Sequence, residues 1–161
     1  MPERVTGVEI TQELLKRVPA EQIAIVGGED PMKTLEFMGV TGREKILVDN
    51  GRISLEPEAI QQRAKELAGR RLIFVALGVP KQDKLALALR ELLPEATFIG
   101  VGGTFELLGG QKPRAPQWMQ KSGLEWVFRV CAEPKRLWRR YFVEYWGGGF
   151  ALLRDIRQGA R

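Results

Sequence analysis

Three arginines near the C-terminus are of the type that binds a diphosphate. Arg129, Arg136 and Arg139 are separated by seven and three residues, which would align them on one side of a continuous helix, although Pro134 is expected to bend it. Guanidinium groups that converge from one side can each bind phosphate oxygens in a forked geometry. A solvated basic face would show the same spacing, so the pattern leaves both interpretations open.

Lys81 and Gln82 form a second candidate group, in the turn GVPKQDK at residues 78–84. We predict Pro80 at the first position of a helix, where free backbone N–H groups attract phosphate and an amide side chain can fix a sugar or phosphate oxygen. Lysine and glutamine are also ordinary surface residues at a helix start. The spacing alone therefore makes this turn a candidate and no more.

The glycine-rich turn GVGGTFELLGG, at residues 100–110, is a third candidate. The lack of side chains would let a nucleotide approach the backbone closely. The turn is neither a G-x-G-x-x-G fingerprint nor a phosphate-binding loop, because no Lys-Ser/Thr pair follows it. Glu106, just inside the helix expected after the turn, can hydrogen-bond a ribose or base, or can simply complement the helix dipole.

The segment KRLWRRYFVEYW, residues 135–146, predicts a basic amphipathic helix with aromatic side chains on one side and arginines on the other. Such a helix suits an anionic membrane surface, where each Lys or Arg contributes about 1 kcal/mol. Core packing and nucleic-acid binding select similar residues. The preceding stretch RAPQWMQKSGLEWVFR, residues 114–129, mixes cations and aromatic rings in the same way.

Composition limits the classes of function. The 161 residues include one cysteine, Cys131, and no histidine, which excludes disulfides within the chain, Cys/His zinc sites and a histidine general base, and indicates a reducing compartment. No run approaches the roughly 20 apolar residues that cross a bilayer. Residues 1–111 hold 14 Lys/Arg against 16 Asp/Glu, whereas residues 112–161 hold 11 against 4, so the last third is the basic part.

Four short apolar runs that end in glycine predict the strands that would position these groups. They are IAIVGG (23–28), KILVDNG (45–51), LIFVALG (72–78) and TFIGVGG (97–103). Three are typical of buried strands, and KILVDNG is the least typical. Helical patterns separate several of the runs. This alternation predicts an α/β fold, with a mainly parallel sheet flanked by helices in Rossmann-like layers.

Such sheets bind ligands beyond the carboxyl ends of their strands, so a site is expected in the turns that follow the strands. Asp30 and Pro31 predict a helix start after IAIVGG, and Pro57 predicts another. Past Gly110, prolines and glycines punctuate shorter helical patterns. We therefore expect an α/β core at residues 1–111 and a basic helical appendage at residues 112–161.

The chain resembles the WecG/TagA/CpsF glycosyltransferases, glycosyltransferase family 26. The matching motifs are RVTG (4–7), GVPKQDK (78–84), GVGGTFELLGGQKPRAPQWMQKSGLEWVFR (100–129) and EPKRLWRRY (133–141), in the family's order. The resemblance implies an inverting, metal-independent enzyme that transfers N-acetylmannosamine or a related hexose from a UDP-sugar to a polyprenol-diphosphate-linked sugar. Such enzymes serve cell-surface polysaccharide or teichoic acid synthesis.

The resemblance also implies a location and partners. Family members are peripheral proteins on the cytoplasmic face of the cell membrane, where their basic appendage docks and closes over the active site. We therefore expect the core at 1–111 to bind the nucleotide sugar and residues 135–146 to meet the membrane surface. Neither a cofactor nor nucleic acid is expected. A second copy of the chain, or a chain that complements its N-terminus, stays open as a partner.

The family's motifs assign roles to residues of this chain by their position. The residues expected to be catalytic are Arg4, Gln82, Arg129, Arg136 and Arg139. The residues expected to bind substrate are Thr6, Gly7, Gly78, Pro80, Lys81, Gly102, Gly103, Glu106, Lys112 and Arg114. The three arginines from 129 onward would stabilise the negative charge that grows on UDP as its bond to the sugar breaks.

Two departures from the family pattern bear on activity. Position 106 is Glu where the family usually has Asp, which adds one methylene to a nucleotide contact. The family also carries T-P-N and D-G motifs upstream of RVTG, and the D-G aspartate is its proposed general base. Since RVTG starts at residue 4, we expect a C-terminal portion of the family domain, whose activity alone would depend on another general base, with Asp83 and Glu106 as candidate replacements. A non-catalytic nucleotide- and membrane-binding paralogue is the alternative.

Overall fold

The computed structural model describes residues 5–113, 115–116, 118–119, 124–132 and 134. The chain divides into two compact units, residues 1–112 and residues 113–161. The functional roles expected for the two parts of the chain stay predictions.

Helices and strands alternate along the described part of the first unit. In chain order they are α1 (Gly7–Arg17), β1 (Ile23–Gly27), α2 (Pro31–Phe37), β2 (Leu47–Asp49), α3 (Pro57–Leu67), β3 (Leu72–Ala76), α4 (Lys81–Leu92), β4 (Thr97–Gly100) and α5 (Thr104–Leu108). Single turns of 3-10 helix, Ala20–Gln22 and Arg43–Lys45, precede β1 and β2. This alternation confirms the α/β prediction.

The four strands form one sheet in the order β2-β1-β3-β4, and every pair is parallel. Ile25 of β1 stands opposite Val48 on one side and Phe74 on the other, and Phe74 in turn stands opposite Ile99 of β4. These four residues therefore form one row across the sheet. The register confirms the predicted parallel sheet.

Helices cover both faces of the sheet. Ile25 and Phe74 are fully buried on one face, in a cluster with side chains from α1, α2 and α5. Ala24 and Ile73, their neighbours along the strands, are buried on the opposite face with side chains from α3 and α4. Because successive side chains of a strand alternate between faces, a continuously apolar strand implies a layer of helices on each side.

Local signals explain where the helices begin. Asp30 caps α2 by accepting the N–H of Lys33 at 3.1 Å, and Pro31 is its first residue, as predicted. Pro57 likewise begins α3. Pro80, by contrast, is the N-cap of α4 and not its first helical residue, because the helix starts at Lys81. The prediction for Pro80 was wrong by one position.

Burial follows a strand's place in the sheet. The central strands β1 and β3 are buried at every position, as their sequences predict. KILVDNG does contain a strand, but a short one of three residues at the sheet's edge. TFIG was predicted to be buried, and this is wrong: Thr97 and Gly100 of β4 are exposed. Within the described residues, β4 has a neighbouring strand on one side only.

The described part of the second unit contains helix α6 (Glu125–Ala132), which includes Arg129. The amphipathic segment predicted at residues 135–146 lies outside the described residues. As far as the described residues go, every helix is too short or too polar to cross a membrane.

Candidate functional site

The strand order creates a natural ligand position at the carboxyl edge of the sheet. The chain runs outward from β1 to β2, then returns past β1 to β3 and continues to β4. The direction of winding therefore reverses between β1 and β3. In open α/β sheets this switch point opens a crevice in which ligands bind. The turns after β1, β3 and β4 gather at this edge.

The turns after β1 and β3 lie against each other. Gly27 has a φ of +87°, and a Cβ atom there would come within 2.5 Å of the Leu77 side chain. Gly28 donates its N–H to the carbonyl oxygen of Ala76 at 2.8 Å. The left-handed backbone and the close approach both require glycine at position 27. The GG pair at the end of β1 therefore lets the turns after β1 and β3 lie close together.

Gln82 connects the turn after β3 to the turn after β4. Its Oε1 accepts the backbone N–H of Gly102 at 3.1 Å. The first turn of α4, on which Gln82 lies, closes with a hydrogen bond from the Gln82 N–H to the Gly78 carbonyl oxygen at 3.1 Å. Two predicted site motifs, GVPKQDK and GVGG, are thus joined by a side chain that the sequence had marked as functional.

Glu106 connects the turn after β4 to the turn after β1. The residue is 8% exposed, and its Oε1 accepts the backbone N–H of Glu29 at 3.3 Å. Its Oε2 is buried and has no hydrogen-bond partner among the described residues. A buried carboxylate oxygen without a partner is costly, so Oε2 is an unsatisfied acceptor at this edge of the sheet.

The side chains of Glu106 and Lys112 both lie on the side of Gly103 from which a side chain would project. A Cβ atom at Gly103 would lie 3.4 Å from Glu106 Oε2 and 4.0 Å from Lys112 Nζ. Lys112 is brought back towards the turn because its backbone N–H donates to the Glu106 carbonyl oxygen at 3.0 Å. Glu106 Oε2 and Lys112 Nζ therefore both lie near a backbone position that carries no side chain.

The residues at the start of α1 that were predicted to bind substrate have a structural role. Thr6 is the N-cap of α1, where its Oγ1 accepts the N–H of Glu9 at 3.3 Å and its own N–H donates to Glu9 Oε2 at 2.7 Å. This reciprocal pair is a capping box. Gly7, the first residue of α1, accepts a hydrogen bond from the buried Thr11 hydroxyl at 2.8 Å. The substrate roles of Thr6 and Gly7 stay predictions.

The structure thus brings together part of the predicted site. The residues at the turns after β3 and β4 are Gly78, Pro80, Lys81, Gln82, Gly102, Gly103, Glu106 and Lys112. Asp83, a candidate base, is exposed in the first turn of α4. Arg4, Arg114, Arg136 and Arg139 lie outside the described residues, as does the side chain of Arg129.

Two contributors to this edge were missed by sequence reasoning. The backbone N–H of Glu29 holds Glu106, and Gly100 lies under the Gln82 side chain. Glu29 takes part through its backbone, so its residue type gives no signal. Gly100 opens the GVGG motif and could have been singled out as a point of close approach. No cluster of three or more His, Cys, Asp or Glu side chains that could hold a metal ion occurs within the described ranges.

A parallel sheet wound in two directions from its centre, with glycine-rich turns at the switch point, defines the doubly wound α/β class of ligand-binding proteins. Within that class, the model of the Glycosyl transferase WecG/TagA/CpsF family matches residues 1–161, and the chain belongs to this family. Membership makes it a glycosyltransferase, with a sugar donor and an acceptor as substrates. No solved structure matches the chain.

Proposed function

We propose that the chain binds a UDP-sugar at the carboxyl edge of β1, β3 and β4, and transfers N-acetylmannosamine or a related hexose, with inversion, to a polyprenol-diphosphate-linked sugar. The acceptor would lie at the membrane surface, in cell-surface polysaccharide or teichoic acid synthesis. The family supplies the class of reaction. The turns at the edge of the sheet supply groups suited to the nucleotide.

The observation that carries the proposal is the buried Oε2 of Glu106 beside Gly103 and Lys112. An acceptor that lacks a hydrogen bond within the described residues, beside a glycine, suits a ribose hydroxyl or a base N–H, both of which donate hydrogen bonds. Lys112 Nζ, near the same glycine, suits a phosphate or sugar oxygen. We assign the nucleoside to this side of the crevice.

The diphosphate belongs on the side of the crevice formed by α4. Lys81 is exposed at the start of α4, where the positive end of the helix dipole favours a negative charge. Arg129, Arg136 and Arg139, together with Arg4, would complete the binding of the diphosphate. Because charge develops on the leaving UDP in the transition state, cations held there in advance would lower the barrier more than they strengthen ground-state binding.

Calorimetric titration with UDP tests the nucleotide site. We expect the unaltered chain to bind UDP and Glu106→Gln to bind it roughly tenfold more weakly, because the substitution replaces the free acceptor oxygen, or the one that accepts from Glu29, with a donor. Glu29→Gln is the matched control, since Glu29 contributes its backbone N–H and its side chain is exposed. Equal UDP affinity in Glu106→Gln and the unaltered chain would contradict this assignment.

Release of UDP in the presence of UDP-N-acetylmannosamine and a polyprenol-diphosphate-linked acceptor tests the transfer. The proposal requires UDP release that depends on the acceptor. Binding of UDP without transfer would instead favour the non-catalytic alternative, and absence of UDP binding would reject both.

A further inference from the structure

We propose that Gly100 is a positioning residue for the donor site, because its missing side chain gives Gln82 the space from which it holds the Gly102 amide. That this site binds the sugar donor rests on the proposed function. The coupling between Gly100 and Gln82 does not. Gly100 is the last residue of β4 and pairs with Val75 of β3.

The contact between the two residues is close. A Cβ atom at Gly100 would lie 2.7 Å from Gln82 Nε2 and 2.8 Å from Gln82 Cδ. Carbon atoms in van der Waals contact are about 3.5–4.0 Å apart. The amide group of Gln82 therefore occupies the volume that any side chain at position 100 would need.

A side chain at position 100 would disturb the turn mainly by breaking a hydrogen bond and less by steric strain. The end of a glutamine side chain can rotate away at little cost, but the rotation would withdraw Oε1 from the Gly102 N–H, 3.1 Å away. The neighbouring amides of Val101 and Thr104 donate to backbone carbonyl oxygens, those of Val75 and Val101. The N–H of Gly102, which has a φ of +51°, is instead held by a side chain from α4.

The same contact fixes what Gln82 can offer a ligand. A backbone N–H can only donate, so the amide oxygen of Gln82 must face Gly102, and the two hydrogens on Nε2 remain for another partner. Gln82 is therefore a donor towards a ligand, matched to phosphate or sugar oxygens. Gly100 sets both the position of the turn and the orientation of this donor.

A double-mutant cycle tests the coupling without any ligand. The variants are Gly100→Ala, Gln82→Ala and the two combined, and the measurement is hydrogen exchange of the Gly102 amide by NMR. We expect each single variant to speed exchange about 5- to 10-fold, as loss of one hydrogen bond allows. The double variant should exchange no faster than Gln82→Ala, because the methyl group added at position 100 then has nothing left to displace.

Gly51→Ala is the matched control. Gly51 also follows a strand at the carboxyl edge, its φ is not left-handed, and a Cβ atom there would meet Asp49 Oδ1 at an ordinary 3.5 Å. This variant should leave Gly102 exchange unchanged. Should Gly100→Ala fail to fold, the proposal requires that adding Gln82→Ala restores folding; a double variant that also fails to fold would overturn it.

Gln82→Glu separates the positioning role from the donor role. It keeps an acceptor for Gly102 and so should preserve the slow exchange, but it removes the Nε2 donors and should weaken UDP binding at least tenfold. Additive exchange effects in the cycle, or a Gly102 amide that stays protected in Gly100→Ala, would overturn the coupling. If the unaltered chain binds no UDP, the proposed function fails, while the exchange data still decide the role of Gly100.

Discussion

At the scale of single residues, Phe105 joins the hydrophobic core to the candidate site. It is 1% exposed and packs edge-on against Phe74 at a centroid distance of 6.0 Å. Its carbonyl oxygen also accepts the hydroxyl of Thr34 at 3.0 Å. Helix α5 has five residues, too few to be stable by itself, so packing of Phe105 must hold it in place. Because Phe105 is anchored in the core, it positions the adjacent Glu106.

Replacing Phe105 by alanine should therefore destabilise the fold and the site together. We expect Phe105→Ala to lower the free energy of unfolding by about 3–5 kcal/mol, the usual cost of removing a buried phenyl ring. Urea denaturation measures it. Phe37→Ala is the control, since Phe37 is 70% exposed and its loss should cost about 0.5 kcal/mol or less. Equal losses in the two variants would contradict the role given to Phe105.

The sequence identified several candidate site residues but not the groups to which they hydrogen-bond. Gln82 and Glu106 were marked by the motifs around them, and both do reach the turn after β4. Each of them uses a side-chain oxygen to accept a backbone N–H, which could not be predicted. Glu29 and Glu106 are 77 positions apart, and a backbone N–H donor does not depend on the type of residue that carries it. Contacts of this kind depend on strand order, which the sequence did not supply.

At the scale of elements, the carboxyl and amino ends of the strands have different roles. The carboxyl ends carry the candidate site, and the amino ends are joined by Arg70. Its Nη1 donates to the carbonyl oxygens of Glu21 at 2.5 Å and Lys45 at 2.9 Å, and weakly to that of Ile23. One guanidinium thus connects the end of α3 with the segments that enter β1 and β2.

This division predicts that stability and nucleotide binding can be separated. Arg70→Ala should lower the free energy of unfolding by about 1–2 kcal/mol, because three carbonyl oxygens lose a charged donor. UDP affinity in calorimetry should stay unchanged, since the substitution is at the opposite end of the sheet. Arg71→Ala is a matched control, because Arg71 is exposed and its backbone makes the hydrogen bonds to Gln22 and Thr97. Weaker UDP binding in Arg70→Ala would contradict the separation.

The presence of the helices and strands was easier to predict than the burial of their residues. Apolar runs and helix-start residues predicted the strands and placed the starts of α2 and α3 correctly, because propensity and capping are local. The burial of β4 was predicted from its apolar Phe98 and Ile99, which are only partly buried. Its place beside a single neighbour in the described sheet follows from chain topology and not from its composition.

At the scale of the whole molecule, charge is unevenly distributed along the chain. Residues 112–161 hold 11 Lys/Arg against 4 Asp/Glu, while residues 1–111 are slightly acidic. The proposed acceptor is anchored in a membrane whose surface is anionic. A basic, aromatic segment at 135–146 would bring the enzyme to that surface without a spanning helix.

Vesicle sedimentation tests this membrane role. We expect the chain to pellet with phosphatidylglycerol vesicles at low salt, much less at high salt, and weakly with phosphatidylcholine, because the attraction is electrostatic and screened. Trp138→Ala combined with Tyr145→Ala should weaken binding severalfold. Trp118→Ala, which removes an exposed tryptophan outside 135–146, is the control. Binding to oligonucleotides with no preference for anionic vesicles would instead support the nucleic-acid interpretation.

The hydrogen bond between Glu29 and Glu106 has a consequence for how the protein folds. The chain between them contains β2, β3 and β4, so the bond can form only after a loop of 77 positions has closed. Closing so long a loop costs chain entropy that the packed fold must offset. The proposed nucleotide site therefore exists only in the folded chain, where Glu29 and Glu106 are brought together. UDP would then bind the finished fold alone and raise its stability as the nucleotide concentration increases.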